Sequence, residues 1–265
     1  MKILIHYLDL TLFFGKLHLN KLIEYRSDFI MGVAGFLLDS TMSVATVFFL
    51  FNFVPQIQGW SLYQILFIFG FSLIPKGIDY LFTDYTWELS RRLIQRGEFS
   101  KYLTRPINPL FYMLSERFFH PDGIGGIISG IVLLFLSATH LNLTADPLRW
   151  IVFLSLIPFC MFIYFSIKLI FASIAFWTTV SMPSLSAVMS LADFVKYPLD
   201  IYSHAMRFLL TWIIPFAFTA YFPTLFLFTG EWYYPMMTVV ISISTTALAF
   251  FIWNKGVENF ESTGT

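Results

Sequence analysis

Charge is what this sequence has least of. Asp, Glu, Lys and Arg make up 12% of its 265 residues, about half the roughly 25% of an ordinary soluble domain. So few charges cannot cover a water-facing surface, so a water-soluble globular fold is excluded. Intrinsic disorder, which needs high charge and low hydrophobicity, is excluded with it. Cysteine is nearly absent. Cys160 stands alone, so neither an intramolecular disulfide nor a thiol metal centre can form, and its apolar setting reads as packing. Catalytic signatures are missing too: there is no H-E-x-x-H and no G-x-S-x-G elbow, and the five histidines lie on different segments without metal-ligand spacing. The Walker signature G-x-x-x-x-G-K-[ST] is absent; Gly15-Lys16 has Leu10 where its upstream glycine would stand. No catalytic residue, metal or cofactor is therefore expected in this chain. The 16 basic and 16 acidic residues cancel, and no nucleic-acid partner is expected.

What is present is apolar mass. Hydrophobic residues reach 57%, aromatics 20% and Phe alone 33 residues, with a mean hydropathy of +0.73. This is the composition of an all-α, multi-pass membrane protein. A hydrocarbon core of about 30 Å needs about 20 mostly apolar residues per helix. Six such spans are expected, at 29–54, 61–85, 123–142, 148–177, 208–229 and 232–254, within a single transmembrane domain covering 1–265. The runs are continuous, which favours helices over the alternating strands of a barrel. Tryptophans 60, 87, 150, 177, 232 and 253 sit near the expected ends, as an interfacial belt requires. Pro75, Pro158, Pro215 and Pro223 are expected to kink or break their helices. Pro215 and Pro223 share one span, marking it as the candidate for a broken or re-entrant segment.

Lys and Arg set the orientation. Counted over alternate connecting segments, thirteen fall on one side and only Arg149 on the other, with Lys76 and Lys168 inside the apolar runs. This count places 178–207, with Lys196 and Arg207, on the basic side, and both termini in the cytoplasm. Residues 1–27 alternate Ile3, Leu4, Tyr7, Leu8, Leu10 and Leu17 with Lys2, Asp9, Lys16 and Lys21, as in an amphipathic helix lying on a lipid surface. The stretch 86–120 is too long for a turn. It reads as amphipathic helix broken at Gly97 and stopped at Arg105-Pro-Ile-Asn-Pro109, since each proline forces its predecessor out of the α region.

Four charges lie within or near apolar spans: Asp39, Lys76, Asp79 and Lys168. They can mark a substrate or ion path. The reading favoured by sequence alone pairs Lys76 with Asp79 at i, i+3 and lets Lys168 snorkel to the surface. Asp39 lies too deep to snorkel and stays open between a structural partner, Lys76 or Lys168, and a role in translocation.

Seven fragments carry a family resemblance. They are Glu24-Tyr-Arg-Ser-Asp-Phe29, Gly59-Trp-Ser-Leu62, Leu93-Ile-Gln-Arg-Gly-Glu-Phe99, Leu103-Thr-Arg-Pro-Ile-Asn-Pro-Leu110, Tyr197-Pro-Leu-Asp-Ile-Tyr202, Ile213-Ile-Pro-Phe-Ala-Phe218 and Tyr221-Phe-Pro223. In this order and spacing the chain resembles the ABC-2 type permeases, in the branch of short six-span bacterial subunits. The resemblance implies a membrane subunit of an ATP-binding cassette transporter in the bacterial plasma (inner) membrane, an exporter of a hydrophobic or amphipathic substrate. It implies a dimer with a second permease, of the same or a related chain, and separate ATPase subunits that bind the ATP and Mg. By position, Arg91, Arg92, Arg96, Gly97, Glu98, Phe99, Arg105, Pro106, Asn108 and Pro109 would couple to the ATPase. Pro215 and Pro223 would fall in a re-entrant region between spans five and six. Membrane lipid is the remaining partner. An ion-gradient-driven secondary transporter is the alternative, but it needs paired acids near the midplane, where only Asp39 qualifies.

Overall fold

The computed structural model describes residues 2–143 and 146–260, with side chains from Ile5 onward. Among these residues all named elements are helical. Helix α1 (Lys2–Glu24) ends at Tyr25, and α2 (Arg26–Phe51) follows directly. Helix α3 (Leu62–Thr83) begins where the sequence provides both halves of a capping box. The Ser61 hydroxyl accepts from the Gln64 N–H at 3.4 Å, and Gln64 Oε1 accepts from the Ser61 N–H at 2.9 Å. Short helical pieces at 86–114 lead to α4 (Pro121–His140), and α5 (Ile157–Ser173) sits inside the long apolar stretch Pro147–Thr178. Then come α6 (Met182–Leu191), α7 (Tyr221–Thr229) and α8 (Tyr233–Glu258).

Five helical stretches are long and apolar enough to cross a membrane: Arg26–Phe51, Leu62–Thr83, Pro121–His140, Pro147–Thr178 and Tyr233–Glu258. They match five of the six expected spans within a few residues. The exception is 208–229, which is not one helix. A π-helical turn over Leu209–Ile213 gives way to a break at Ile214 and Pro215, a 3-10 turn over Phe216–Thr219 and then α7. Pro215 has no N–H to continue the ladder, as its place in the sequence suggested. Pro223 falls within the first turn of α7, where a missing N–H costs nothing, and Pro158 sits likewise at the start of α5. Pro75 lies inside α3, which continues past it.

Residues 181–200 do not behave as a connection confined to one end of the bundle. The Ser181 N–H donates to the Ser90 carbonyl at 3.2 Å, just beyond the end of α3. Asp193 meets Lys76 in the middle of α3, and Asp200 accepts from Trp60 Nε1 at 3.1 Å, just before α3 begins. The segment thus runs the length of α3, from the Ser90 end to the Trp60 end. Residues 204–229 start and finish at that Trp60 end: Arg207 lies 3.6 Å from Asp200, and the Phe228 ring packs 6.3 Å from Trp60. Their middle reaches deeper, where Thr219 bonds the Tyr164 hydroxyl at 3.0 Å and the Cys160 thiol donates to the Phe218 carbonyl at 3.4 Å. The expectation that 178–207 stays on one side of the bundle is corrected by these contacts.

Helices α3 and α4 run antiparallel at backbone contact. A Cβ on Gly130 would stand 2.7 Å from the Gly70 carbonyl oxygen, and one on Gly77 would stand 2.7 Å from that of Gly123. Small residues allow this approach, and Gly126-Ile-Ile-Ser-Gly130 is the pattern that membrane helices use for it. Helix α2 packs on the same helix, with Phe36 against Gly125 and Pro121 against Gly32.

Helix α1 turns one face inward. Tyr7, Phe14 and His18 pack on Phe111, Tyr112 and Phe118, and His18 Nε2 bonds the Ser115 carbonyl at 2.8 Å. Leu8, Leu12, Phe13 and Leu17 stay exposed on the other side. Lys2, Ile3 and Leu4, expected in the amphipathic pattern, lie outside the described side chains.

Overpacking a backbone contact costs about 1–3 kcal/mol. Gly77→Val and Gly130→Val should each lower the thermal midpoint in detergent well below that of Gly35→Ala, whose Cβ would meet nothing within 4 Å. Equal midpoints for all three would refute the close packing.

Candidate translocation cleft and coupling loop

The four charges read from sequence separate into two environments. Lys168 on α5 and Asp79 on α3 form an ion pair at 2.6 Å with neither side chain exposed. Asp79 also accepts from the Thr83 hydroxyl at 2.5 Å, and Lys168 Nζ lies 5.8 Å from the Tyr80 ring centre. Lys168 therefore does not snorkel: its ammonium is held inside the bundle. The expected Lys76–Asp79 pair does not form. Residues three apart on a helix still differ by about 60° in direction, and α5 lies on the Asp79 side. An isolated charge at this depth costs at least about 2.5–3.5 kcal/mol on insertion scales, so each partner is the reason the other is tolerated.

Lys76, turned by about 60° from Asp79, lines a cleft of about 440 Å³ between α2, α3 and the 3-10 turn Ala192–Lys196. There its Nζ lies 3.0 Å from Asp193 Oδ1, and Lys196 Nζ lies 3.0 Å from the same oxygen. Asp39 lines the cleft from α2 and has no ion-pair or hydrogen-bond partner among the described residues. Neither Lys76 nor Lys168 is thus its structural partner. Ser40, Phe69, Leu73, Tyr80 and Asp122 also line it.

Sequence reasoning missed Asp193 and Lys196 as cleft residues. The signal existed, because 169–192 contains no charge, but Ser181, Ser184, Ser186 and Ser190 dilute its hydropathy. Within a helix such hydroxyls are satisfied locally: Ser184 donates to the Ser181 carbonyl at 2.8 Å and Ser190 to that of Ser186 at 2.9 Å.

The second candidate region is the stretch after α3. The chain turns at Gly97, whose φ of +67° suits glycine. Arg92 clamps the turn by bonding Glu88 at 2.6 Å and Glu98 at 2.8 Å. The hydrogen bond to Glu88 raises the guanidinium above its ordinary range. Phe99 is fully buried in an aromatic box, with ring centres 5.1 Å from Phe176, 5.8 Å from Trp253 and 5.2 Å from Phe260. These residues lie at or near the ends of the Pro147–Thr178 stretch and of α8, so the turn is joined to two helical stretches. Asn108 caps the next short helix, its Oδ1 accepting from the Phe111 N–H at 3.1 Å, with Pro109 at the first helical position. The Asn108 N–H donates to the Tyr7 hydroxyl at 3.2 Å, which ties the stretch to α1. Arg91, Arg96, Arg105, Pro106 and Asn108 are left facing outward. Pro215 and Pro223 belong to neither region.

The family model described as ABC-2 family transporter protein matches residues 37–264. No curated protein and no solved structure matches the chain.

Breaking a buried pair by removing one partner costs about 3–5 kcal/mol, whereas replacing both with apolar residues costs far less. Asp79→Leu and Lys168→Leu should each depress folded yield and thermal midpoint strongly, and the double variant should recover most of the loss. A double variant as damaged as the sum of the singles would show that the two residues act independently.

Proposed function

The chain belongs to the ABC-2 family of transporter proteins, and from that premise we propose that this multi-pass permease subunit exports a hydrophobic or amphipathic substrate, driven by separate ATPase subunits that bind ATP and Mg. The observation that carries the reading is the Phe99 box. It joins an outward-facing row of arginines and prolines to the inner framework of the bundle.

In this reading the Ser90 end is cytoplasmic, which agrees with Arg91, Arg92, Arg96, Lys101, Arg105 and Arg117 gathering there. Both termini lie on that side. Residues 181–200 make the fifth crossing, and 204–229 dip in from the outer side and return, so the re-entrant segment lies between spans five and six. Lys196 and Arg207 then leave the cytoplasmic tally, which still dominates. The membrane is the bacterial plasma membrane, and α1 lies at its inner surface with Leu8, Leu12, Phe13 and Leu17 toward lipid.

The ATPase docks on the exposed residues of 91–109. Closure of the ATPase dimer on ATP displaces this stretch as a unit, because the Arg92 clamp and the Gly97 turn hold its shape. Phe99 passes the displacement to Phe176 and Trp253, and so to the helices behind them. A second permease, of the same or a related chain, faces the first, and the substrate passes between the two along the cleft lined by α2, α3 and 181–200. Alternation comes from rigid helices tilting against one another, since the α3–α4 backbone contact leaves no slack between that pair.

Purification of the intact transporter checks this directly. The chain should bring down an ATPase with a Walker motif. The charge reversals Arg91→Glu and Arg96→Glu together should release it. Phe99→Ala should keep the ATPase bound but cut ATP-driven transport at least tenfold in vesicles. Undiminished transport in Phe99→Ala would remove the aromatic box from the coupling path.

A further inference from the structure

The charges of the cleft do not cancel where they stand. Lys76 and Lys196 both hold the single carboxylate of Asp193, each at 3.0 Å to the same oxygen. That cluster carries one net positive charge. Asp39, on the α2 wall, carries a negative charge that no described cation meets. Asp122, the third carboxylate of the cleft, lines it from the start of α4, and its nearest basic nitrogen, His120 Nδ1 at 3.9 Å, is beyond hydrogen-bond reach. The cleft therefore presents an unpaired carboxylate on α2, a second at the start of α4 and a net positive cluster on the 192–196 side, and the apolar side chains of Phe69 and Leu73 also line it. Beside Asp39, a face of α2 is apolar and exposed at Met31, Leu38 and Met42.

From this pattern we infer that the cleft binds the head group of a zwitterionic amphiphile: its cationic group at Asp39, its anionic group at the Lys76–Asp193–Lys196 cluster, and its hydrocarbon tail along the exposed apolar face of α2. A ligand with both charges meets Asp39 and the Lys76–Asp193–Lys196 cluster at once without adding net charge to the cleft. A purely cationic or purely anionic amphiphile satisfies one side and leaves the other bare. A neutral head leaves both bare. The inference names the substrate class for the transport reading above and rests on it.

The test uses the permease with its copurified ATPase in lipid nanodiscs and four fluorescent single-chain amphiphiles, identical except for a phosphocholine, phosphate, trimethylammonium or glycerol head. The phosphocholine probe should bind about tenfold more tightly than the other three, which corresponds to about 1.4 kcal/mol. In Asp39→Asn the phosphocholine and phosphate probes should bind equally, and Asp39→Glu should restore the preference. Lys196→Gln keeps the Lys76–Asp193 pair but neutralises the cluster, and should erase the advantage of phosphocholine over trimethylammonium. Three outcomes would overturn the inference: no ordering of the four heads by the unmutated protein, an equal loss for all four in Asp39→Asn, or an unchanged ordering in Asp39→Asn accompanied by separation of the permease copies. The last would give Asp39 to a subunit contact. Copurification of the ATPase is scored on the unmutated chain, so the ordering of heads can fail with the ATPase bound. The ATPase can equally be missing while the ordering holds.

Discussion

The buried pair between Lys168 and Asp79 is the constraint from which the rest of the structure follows. At 2.6 Å and without solvent on either side, it allows little sliding or rotation of α3 against α5, because any movement strands a charge in an apolar interior. Fixing the rotation of α3 fixes where its other residues point. Lys76, about 60° round the helix from Asp79, then meets the cleft. Gly70 and Gly77 meet α4, where their lack of side chains lets the backbones touch. One ion pair, one line of glycines and one cleft thus occupy three directions around a single helix.

The same helix connects the two candidate regions. Its middle forms part of the cleft, and its C-terminal end continues into 86–99, which closes on Phe176, Trp253 and Phe260 through Phe99. A displacement at the outward arginines meets a rigid body before it meets the cleft. The glycine contact with α4 extends that body, and the inward face of α1 braces its loop end through Tyr7 and His18. Toward the Trp60 end, Pro215 and Ala220 interrupt the helical pieces of 204–229.

Legibility followed physical scale. Long apolar runs are a property of many residues together, and five of the six expected spans agree with helices in the structure. The break at Pro215 and the turn at Gly97 were also readable, since proline and glycine act on the backbone where they stand. Residues 181–200 were misread because hydropathy averages over a window, and four serines lower that average even though hydroxyls bonded to their own helix cost little to bury. The pairing of the charges was misread for a different reason. Lys76 and Asp79 are close along the chain, but the partner of Asp79 comes from 89 positions away.

The sequence by itself determined that this is a multi-pass helical membrane protein with no ATP-binding signature, and its fragments pointed to the ABC-2 transporter family that the matched residues 37–264 establish. Those conclusions rest on composition, run length and local backbone chemistry, all of which are additive along the chain. Only the tertiary structure decided which lysine meets which aspartate, that 181–200 follows α3 from end to end, and that Asp39 faces a cleft without a partner among the described residues. Each depends on the rotation of one helix against another. That rotation is set by steric and electrostatic fit between residues far apart in sequence, to which a local pattern is blind.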